Sequence, residues 1–316
     1  MAVSILLLLL GFVLLTLGAE RLLSGSISLA ARYNIPNIIV GLIIVSLCTS
    51  APEFFSSLKA SYISPDISVS NILGSNIFNI LGILGLISIL QPISTRPFEY
   101  KKELILLFLS GGLLAFFLIS NPFSSSTINN SYIITKPEGF ILILVLMFSL
   151  LRSVLKSKKI KAATPKLNSL IIELSYIILG VALLITGSHF AITHSIVLAK
   201  WLGLSQSFIG LTVVGVATGL PELITSLVSV YKKQHDIAIT NIVGSNLFNL
   251  LGVIGVVSLI NPINVMQNTS HLTDILFSSL CAILLFFTML WKANISKIIG
   301  IIYICLYICF IWWKLI

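Results

Sequence analysis

The sequence predicts an all-α membrane protein of about ten transmembrane helices, arranged as two five-helix repeats of inverted topology. Three observations carry this expectation. Of the 316 residues, 57% are hydrophobic and 9% are charged, against roughly 25% charged in soluble proteins. Apolar windows of about 20 residues, each long enough to cross a hydrocarbon core of about 30 Å, follow one another along the chain. A polar segment inside one window, Thr49-Ser50-Ala51-Pro52-Glu53, nearly recurs as Thr218-Gly219-Leu220-Pro221-Glu222.

In hydrocarbon a backbone must satisfy its own hydrogen bonds, so windows of this length are helices rather than barrel strands. In order they fall near 2–22, 36–60, 67–90, 101–120, 134–152, 168–188, 206–231, 237–260, 271–291 and 295–315. The first has no basic residue ahead of it and no small-residue cleavage site behind it, so it reads as a retained span and not a signal peptide. Polar connectors such as Asn121–Ser131 and the basic stretch Lys156–Lys166 separate the windows, and none is long enough for a soluble domain. The expected organisation is an N-terminal repeat over 1–155, a basic cytoplasmic linker over 156–167 and a C-terminal repeat over 168–316.

The formal net charge is +9, but the basic residues sit between apolar windows, which points to membrane orientation and not to nucleic acid. With the N-terminus outside, only Lys59, Lys136, Lys200 and Lys314 of the 19 Lys and Arg residues fall on the outer side. Lys and Arg excess marks the cytoplasmic side, so both termini are expected to face out of the cytoplasm, in a prokaryotic inner membrane. Cys48, Cys281, Cys305 and Cys309 all lie in apolar windows and form no CxxC pair. They carry no information on redox compartment.

The internal repeat is longer than the Pro-Glu segment. Val40-Gly41-Leu42 matches Ile209-Gly210-Leu211, and Asn71-Ile72-Leu73-Gly74-Ser75-Asn76-Ile77-Phe78-Asn79 matches Asn241-Ile242-Val243-Gly244-Ser245-Asn246-Leu247-Phe248-Asn249. The register runs on through Gly82/Gly252 to Pro92-Ile93/Pro262-Ile263. The duplicated segments cover about 36–93 and 206–263. Five spans separate the copies, and an odd number turns the second upside down in the membrane. Inverted repeats of this kind build many secondary transporters, which bind substrate near the midplane where the repeats meet.

Polar residues within these windows form stripes. Ser46, Thr49, Ser50, Glu53 and Ser57 share one helical face, and Asn71, Ser75 and Asn79 share another. Thr218, Glu222 and Ser226, then Asn241, Ser245 and Asn249, repeat the arrangement. A charged side chain facing lipid costs about 2.5–3.5 kcal/mol on the insertion scale, so the stripes should converge inside the bundle. Their side-chain donors are all oxygen, which suits hard cations such as Na⁺ and Ca²⁺. Two glutamates give a formal charge of −2, which one Ca²⁺ or two Na⁺ neutralise.

Pro52 and Pro221 offer no N–H to the carbonyls four residues earlier, so unwound helix with free carbonyls is expected there. Gly74, Gly82, Gly244 and Gly252 permit close helix contact. Serine and threonine hydroxyls in spanning helices often bond their own backbone. Asn76 and Asn246 rank below Asn79 and Asn249 as ligands and read as packing or capping groups. Glu20, Glu99, Glu103, Glu138, Glu173, Asp66, Asp236 and Asp274 lie near span ends or in connectors, where solvation is expected. No HExxH, GxSxG or His/Asp constellation suggests an enzyme, and no cofactor is implied.

The paired Pro-Glu segments and the two Gly-Ser-Asn-x-x-Asn segments resemble the α-repeats of the calcium/cation antiporter superfamily, most of all the prokaryotic sodium/calcium exchangers. The resemblance covers both repeats and the ten-span count. It implies a cluster of mid-membrane cation sites loaded alternately with Ca²⁺ or Na⁺. Carried over residue by residue, the ligands are Glu53, Glu222, Thr49, Ser50, Thr218, Ser75, Ser245, Asn79 and Asn249, with backbone carbonyls near Ser46 and Gly215.

Three departures from the family pattern matter. Cys48 and Ala217 replace a usual glycine, Gly219 stands where a serine hydroxyl is expected, and positions 79 and 249 are both amides where one is often Asp. The implied function is secondary active antiport of Ca²⁺ against Na⁺ by alternating access. Ca²⁺/H⁺ or K⁺-dependent antiport on the same fold is the alternative, and a passive cation channel is a further one. The lipid bilayer is the only other partner expected, with no obligate protein partner.

Overall fold

The computed structural model describes residues 1–63, 65–94, 97–120, 122, 131–156, 169–203, 215–266, 271–291 and 294–315. Among these, eight helices are long and apolar enough to cross a membrane: Ala2–Arg32, Pro65–Leu90, Lys101–Ser120, Lys136–Leu155, Leu170–Trp201, His235–Ile260, His271–Trp291 and Lys297–Lys314. A bent pair, Asn37–Thr49 and Ala51–Ile63, meets at 44° and makes a ninth. The turn Gly215–Thr218 and the helix Leu220–Tyr231 fall in the expected seventh span. The first part of that span, 206–214, lies outside the described residues, as does the linker beyond Lys156.

The first helix and the Leu170–Trp201 helix both run longer than their expected spans, and the reason is their mutual contact. Gly11, Gly18 and Gly25 recur every seven residues and face Gly187, Gly180 and Glu173 in descending order, so the two helices are antiparallel. A Cβ on Gly18 would lie 2.9 Å from the carbonyl oxygen of Gly180, and one on Gly180 would lie 2.5 Å from the amide nitrogen of Leu22. Small residues replace side-chain packing by backbone approach, the usual way to hold helices together in lipid. The pair closes at one end on Glu173, which accepts from Arg32 Nε at 2.8 Å, Arg32 Nη2 at 3.1 Å and Ser28 Oγ at 2.9 Å.

The sequence halves interleave. Gly85 and Gly300 each sit against the other's carbonyl, as do Gly139 and Gly255. The Lys136–Leu155 helix therefore packs on His235–Ile260, and the Lys297–Lys314 helix on Pro65–Leu90. Two short antiparallel ladders stitch the halves outside the helices. Ile93 pairs with Ile295, and Ile134 pairs with Ile263. Local elements recur as well. A π-turn at Phe78–Ile83 has its counterpart at Phe248–Val253, and each inserts one extra residue per turn at the motif asparagine.

Several expectations need correction. Glu138, Glu173 and Asp274 are buried, not solvated. Glu138 caps its own helix by accepting from the Thr135 amide at 2.7 Å, Glu173 is paired with Arg32, and Asp274 is paired with Lys314. Asp66 pairs with His271 at 3.0 Å. Burial at these helix ends is tolerable because each carboxylate meets a cation or amide donors. Gly82 does not serve helix contact. The ring of Phe78, one turn back, covers it.

Replacing Gly18 by Leu should lower the thermal midpoint in detergent by an amount equivalent to about 1–3 kcal/mol. Gly112→Ala, where an added Cβ meets nothing within 4 Å, should leave the midpoint unchanged or slightly raised. Equal midpoints for Gly18→Leu and wild type would show that the glycine seam is not tight.

Candidate cation site

The bent second span and its counterpart each break at a single residue. Ser50 has φ −79°, ψ 4° and Gly219 has φ −80°, ψ 4°, and each precedes its proline by two positions. The break is shorter than the unwinding expected from the prolines. The Ser50 amide still donates to Ser46 O at 3.0 Å, and the Phe54 and Leu223 amides donate to Ser50 O and Gly219 O, each at 3.0 Å. One bridge-region residue is enough to turn the helix and to aim Glu53 and Glu222, three residues on, toward the bundle centre.

Both glutamates are fully buried (0% exposed). Ser75 Oγ donates to Glu53 Oε1 at 3.3 Å, and Ser50 Oγ donates to Glu222 Oε1 at 3.2 Å. Thr49 and Ser245 are buried in the same region. Their hydroxyls are 3.3 Å apart, and Thr49 Oγ1 donates to Asn241 Oδ1 at 3.2 Å. The remaining oxygens, Glu53 Oε2 and Glu222 Oε2, are buried without a hydrogen-bond partner. So are Asn79 Oδ1 and Asn249 Oδ1. Leaving a buried acceptor unsatisfied costs about 1–3 kcal/mol, more for a charged one. The four such atoms come from four residues matched in the sequence repeat.

The asparagine carbonyls are turned inward by a network that the sequence reading underrated. Asn76 Nδ2 donates to Asn246 O and Asn246 Nδ2 donates to Asn76 O, both at 3.1 Å. Asn79 Nδ2 then donates to Asn246 Oδ1 at 2.9 Å, and Asn249 Nδ2 to Asn76 Oδ1 at 3.0 Å. Asn76 and Asn246, expected as packing or capping groups, cap each other's backbone carbonyls. They hold the amides of their neighbours three residues on, with nitrogen outward and oxygen free. The signal was present in the doubled Asn-x-x-Asn spacing, but a single sequence does not say which amide reaches across the repeat boundary.

One turn beyond each glutamate, Asn71 Nδ2 donates to Ser57 Oγ at 3.1 Å and Asn241 Nδ2 to Ser226 Oγ at 3.0 Å. Thr218 is nearly buried beside the Gly219 break. Ser46 behaves as a backbone-bonded serine, its Oγ donating to Leu42 O at 2.6 Å. Its carbonyl takes the Ser50 amide and Thr49 Oγ1 at 3.3 Å. Gly215 opens the turn before the second break, four residues ahead of Gly219 as Ser46 is ahead of Ser50. Among the described residues, no three of His, Cys, Asp and Glu gather as a metal cluster. The donor set is oxygen, which fits a hard cation rather than a transition metal.

The profile of the family described as "Sodium/calcium exchanger protein" matches residues 3–155 and 172–316. The chain belongs to that family. It is 35% identical to the putative antiporter CaxA of Alkalimonas amylolytica over 262 residues, covering 79% of each chain. With the sodium/calcium exchanger MaX1 of Methanosarcina acetivorans it shares 25% identity over 98% of this chain and 97% of the other. A solved structure of the sodium-calcium exchanger NCX_Mj soaked with zero Na⁺ and Ca²⁺ superposes with a TM-score of 0.82 at 26% identity, covering 98% of both chains. The fold is thus that of a multi-pass membrane transporter of the exchanger family.

Within this family frame the two half-sites are unequal. Ser50 reaches Glu222, but Gly219 has no hydroxyl to offer Glu53. The space is filled instead: a Cβ on Gly219 would lie 2.8 Å from Phe78 Cδ1 and 2.9 Å from Cε1. Phe78 is braced from behind by Tyr307, with ring centroids 5.4 Å apart. Gly219→Ser should therefore lower the thermal midpoint in detergent, and the double variant Gly219→Ser/Phe78→Ala should recover part of the loss. Additive loss in the double variant would show that the ring does not exclude the hydroxyl.

Proposed function

We propose that the protein is a secondary active antiporter that exchanges Ca²⁺ for Na⁺ by alternating access, with the ions bound between two inverted repeats. The observation that carries this reading is the set of four buried, partnerless oxygens on Glu53, Glu222, Asn79 and Asn249, in a chain of the exchanger family. Glu53 and Glu222 hold Ca²⁺ between them. Their four carboxylate oxygens and the two amide oxygens reach the lower end of the 6–8 that Ca²⁺ takes. Thr49, Thr218, Ser50, Ser75 and Ser245, with the carbonyls of Ser46 and Gly215, share the Na⁺ positions. Both termini face out of the cytoplasm, as the Lys and Arg distribution supports.

Obligatory coupling follows from electrostatics. Removing two charges from water costs several kcal/mol per ion even after relaxation, so an empty cage carrying two carboxylates does not cross the barrier. Loaded with Ca²⁺ or Na⁺ it does, and downhill Na⁺ entry expels Ca²⁺. The antiparallel seam of Ala2–Arg32 with Leu170–Trp201, built on bare backbone, is the pair of helices best suited to slide as a unit past the cage.

A second reading keeps the cage and changes the counter-ion. The missing hydroxyl at Gly219 and the amides at both 79 and 249 leave fewer ligands for Na⁺ than the family pattern supplies. Two neighbouring carboxylates titrate as a coupled pair, so protons, or K⁺ alongside Na⁺, fit the same site.

Ca²⁺ uptake into proteoliposomes under imposed Na⁺, K⁺ and H⁺ gradients distinguishes these readings, and the Na⁺ gradient is expected to drive it. Glu53→Gln and Glu222→Gln should each reduce uptake to the protein-free background. Wild-type flux from either variant, or uptake indifferent to the cation on the far side, would remove the antiport reading.

A further inference from the structure

We infer that His271 and Asp66 form a clasp between the two repeats at the outer face, which opens in each transport cycle and which acid on that side tightens. This rests on the antiport reading and the orientation proposed above, and adds to them a regulatory device outside the cage.

Two contacts make the clasp. His271 Nε2 lies 3.0 Å from Asp66 Oδ1, and Asn261 Nδ2 donates to Ser61 O at 2.8 Å. Asp66 stands in the first turn of Pro65–Leu90, the helix of Ser75 and Asn79. Ser61 lies near the end of Ala51–Ile63, the helix of Glu53. On the other side, Asn261 follows His235–Ile260, the helix of Ser245 and Asn249, and His271 opens the next helix. The connection between two site-bearing helices of one repeat is thus fastened to the segment that leaves a site-bearing helix of the other. The crossed amides of Asn76 and Asn246 join the same repeats at the level of the cage. For an ion to enter between the repeats from outside, the outermost of these ties has to yield.

The pair is suited to sense protons. Imidazole changes charge between about pH 5 and 8. A neutral ring protonated at Nε2 gives Asp66 one hydrogen bond, and an imidazolium adds a charge to the same bond and strengthens it. The His271 side chain is only 4% exposed, and its Nδ1 is buried without a hydrogen-bond partner, so little water screens the change. The other charges nearby are engaged or distant. Asp274, three residues on, pairs with Lys314 of the last helix. Lys59 on Ala51–Ile63 is exposed. Ile93 pairs with Ile295, so the start of Pro97–Ser120 lies beside the end of His271–Trp291, and Lys101, Lys102 and Glu103 stand far from His271. The neighbouring stretches Phe78–Ile83, Ile263–Met266 and Asn294–Ile295 carry no titratable side chain.

The inverted repeat does not repeat the sensor. Asp236 is the counterpart of Asp66, and in the same register Lys101 is the counterpart of His271. Lysine ordinarily keeps its charge throughout the range in which imidazole titrates. The response assigned to His271 therefore belongs to one face.

The full chain in right-side-out and in inverted membrane vesicles gives the test. Na⁺-driven Ca²⁺ flux is measured at saturating Ca²⁺ while the bath is stepped from about pH 7.5 to about pH 5.5, across the imidazole range, with the lumen held at the higher value. In right-side-out vesicles the maximal rate should fall about fivefold, as expected when a neutral partner of a hydrogen bond becomes charged. His271→Gln and Asp66→Asn should each abolish that fall and stay at the faster rate. His271→Lys, which carries the residue of the inner counterpart, should be slow at both values. In inverted vesicles the bath should produce no fall that His271→Gln removes. Protons competing at the cage are told apart because they raise the half-saturating Ca²⁺ concentration and survive these substitutions. A fall in maximal rate that persists in His271→Gln, or wild-type and His271→Gln rates that coincide at every bath pH, overturns the inference and leaves antiport intact.

Absence of Na⁺-driven flux would instead overturn the antiport reading. The tie itself is then decided in detergent at the lower pH, where the losses of thermal midpoint in Asp66→Asn and His271→Gln should be non-additive in the double variant. Additive losses would show that the two side chains do not hold each other.

Discussion

Glu53 and Glu222, both fully buried, each keep one carboxylate oxygen on a serine and leave the other without a protein partner. Each would be severely destabilising in an apolar bundle if nothing arrived to balance it. The surrounding groups are arranged to keep that imbalance available rather than to relieve it. Serine hydroxyls take one oxygen apiece, the asparagine nitrogens are tied outward, and the helices break for one residue at Ser50 and Gly219 so that both acids point to one place. In the proposed exchanger, that unsatisfied charge is what draws the cation.

The rest of the fold positions that pair and lets the halves answer each other. Interleaving through Gly85/Gly300 and Gly139/Gly255, and the ladders at Ile93/Ile295 and Ile134/Ile263, mean that neither half forms its core alone. The crossed amide bonds of Asn76 and Asn246 tie the halves at the level of the cage. The Ala2–Arg32 and Leu170–Trp201 helices stand apart in character. Their seam is backbone on backbone, fixed laterally by glycines and pinned at one end by Arg32 and Glu173.

Much of this was legible in the residues themselves. A glutamate in an apolar window has few explanations, and two in matching repeats have fewer, so Glu53, Glu222 and the Ser75, Asn79, Ser245, Asn249 stripe could be read from spacing alone. The helix breaks were also foreseeable from Pro52 and Pro221, though not their brevity. What escaped depended on partners far away in sequence. Glu173 and Asp274 looked like solvated helix-end acids because Arg32 and Lys314 lie in other helices. Asn76 and Asn246 read as packing or capping groups, and their crossed bonds escaped because each acts on the other's half. Phe78 gave no signal until the space left by Gly219 was seen to be its own.

The most direct measurement is anomalous diffraction from crystals soaked with Sr²⁺ as a stand-in for Ca²⁺. The account predicts a single strong peak between the Glu53 and Glu222 carboxylates, within bonding distance of Asn79 Oδ1 and Asn249 Oδ1, lost in Glu222→Gln and displaced by Na⁺. A peak elsewhere in the bundle, or one that survives in Glu222→Gln, would contradict it.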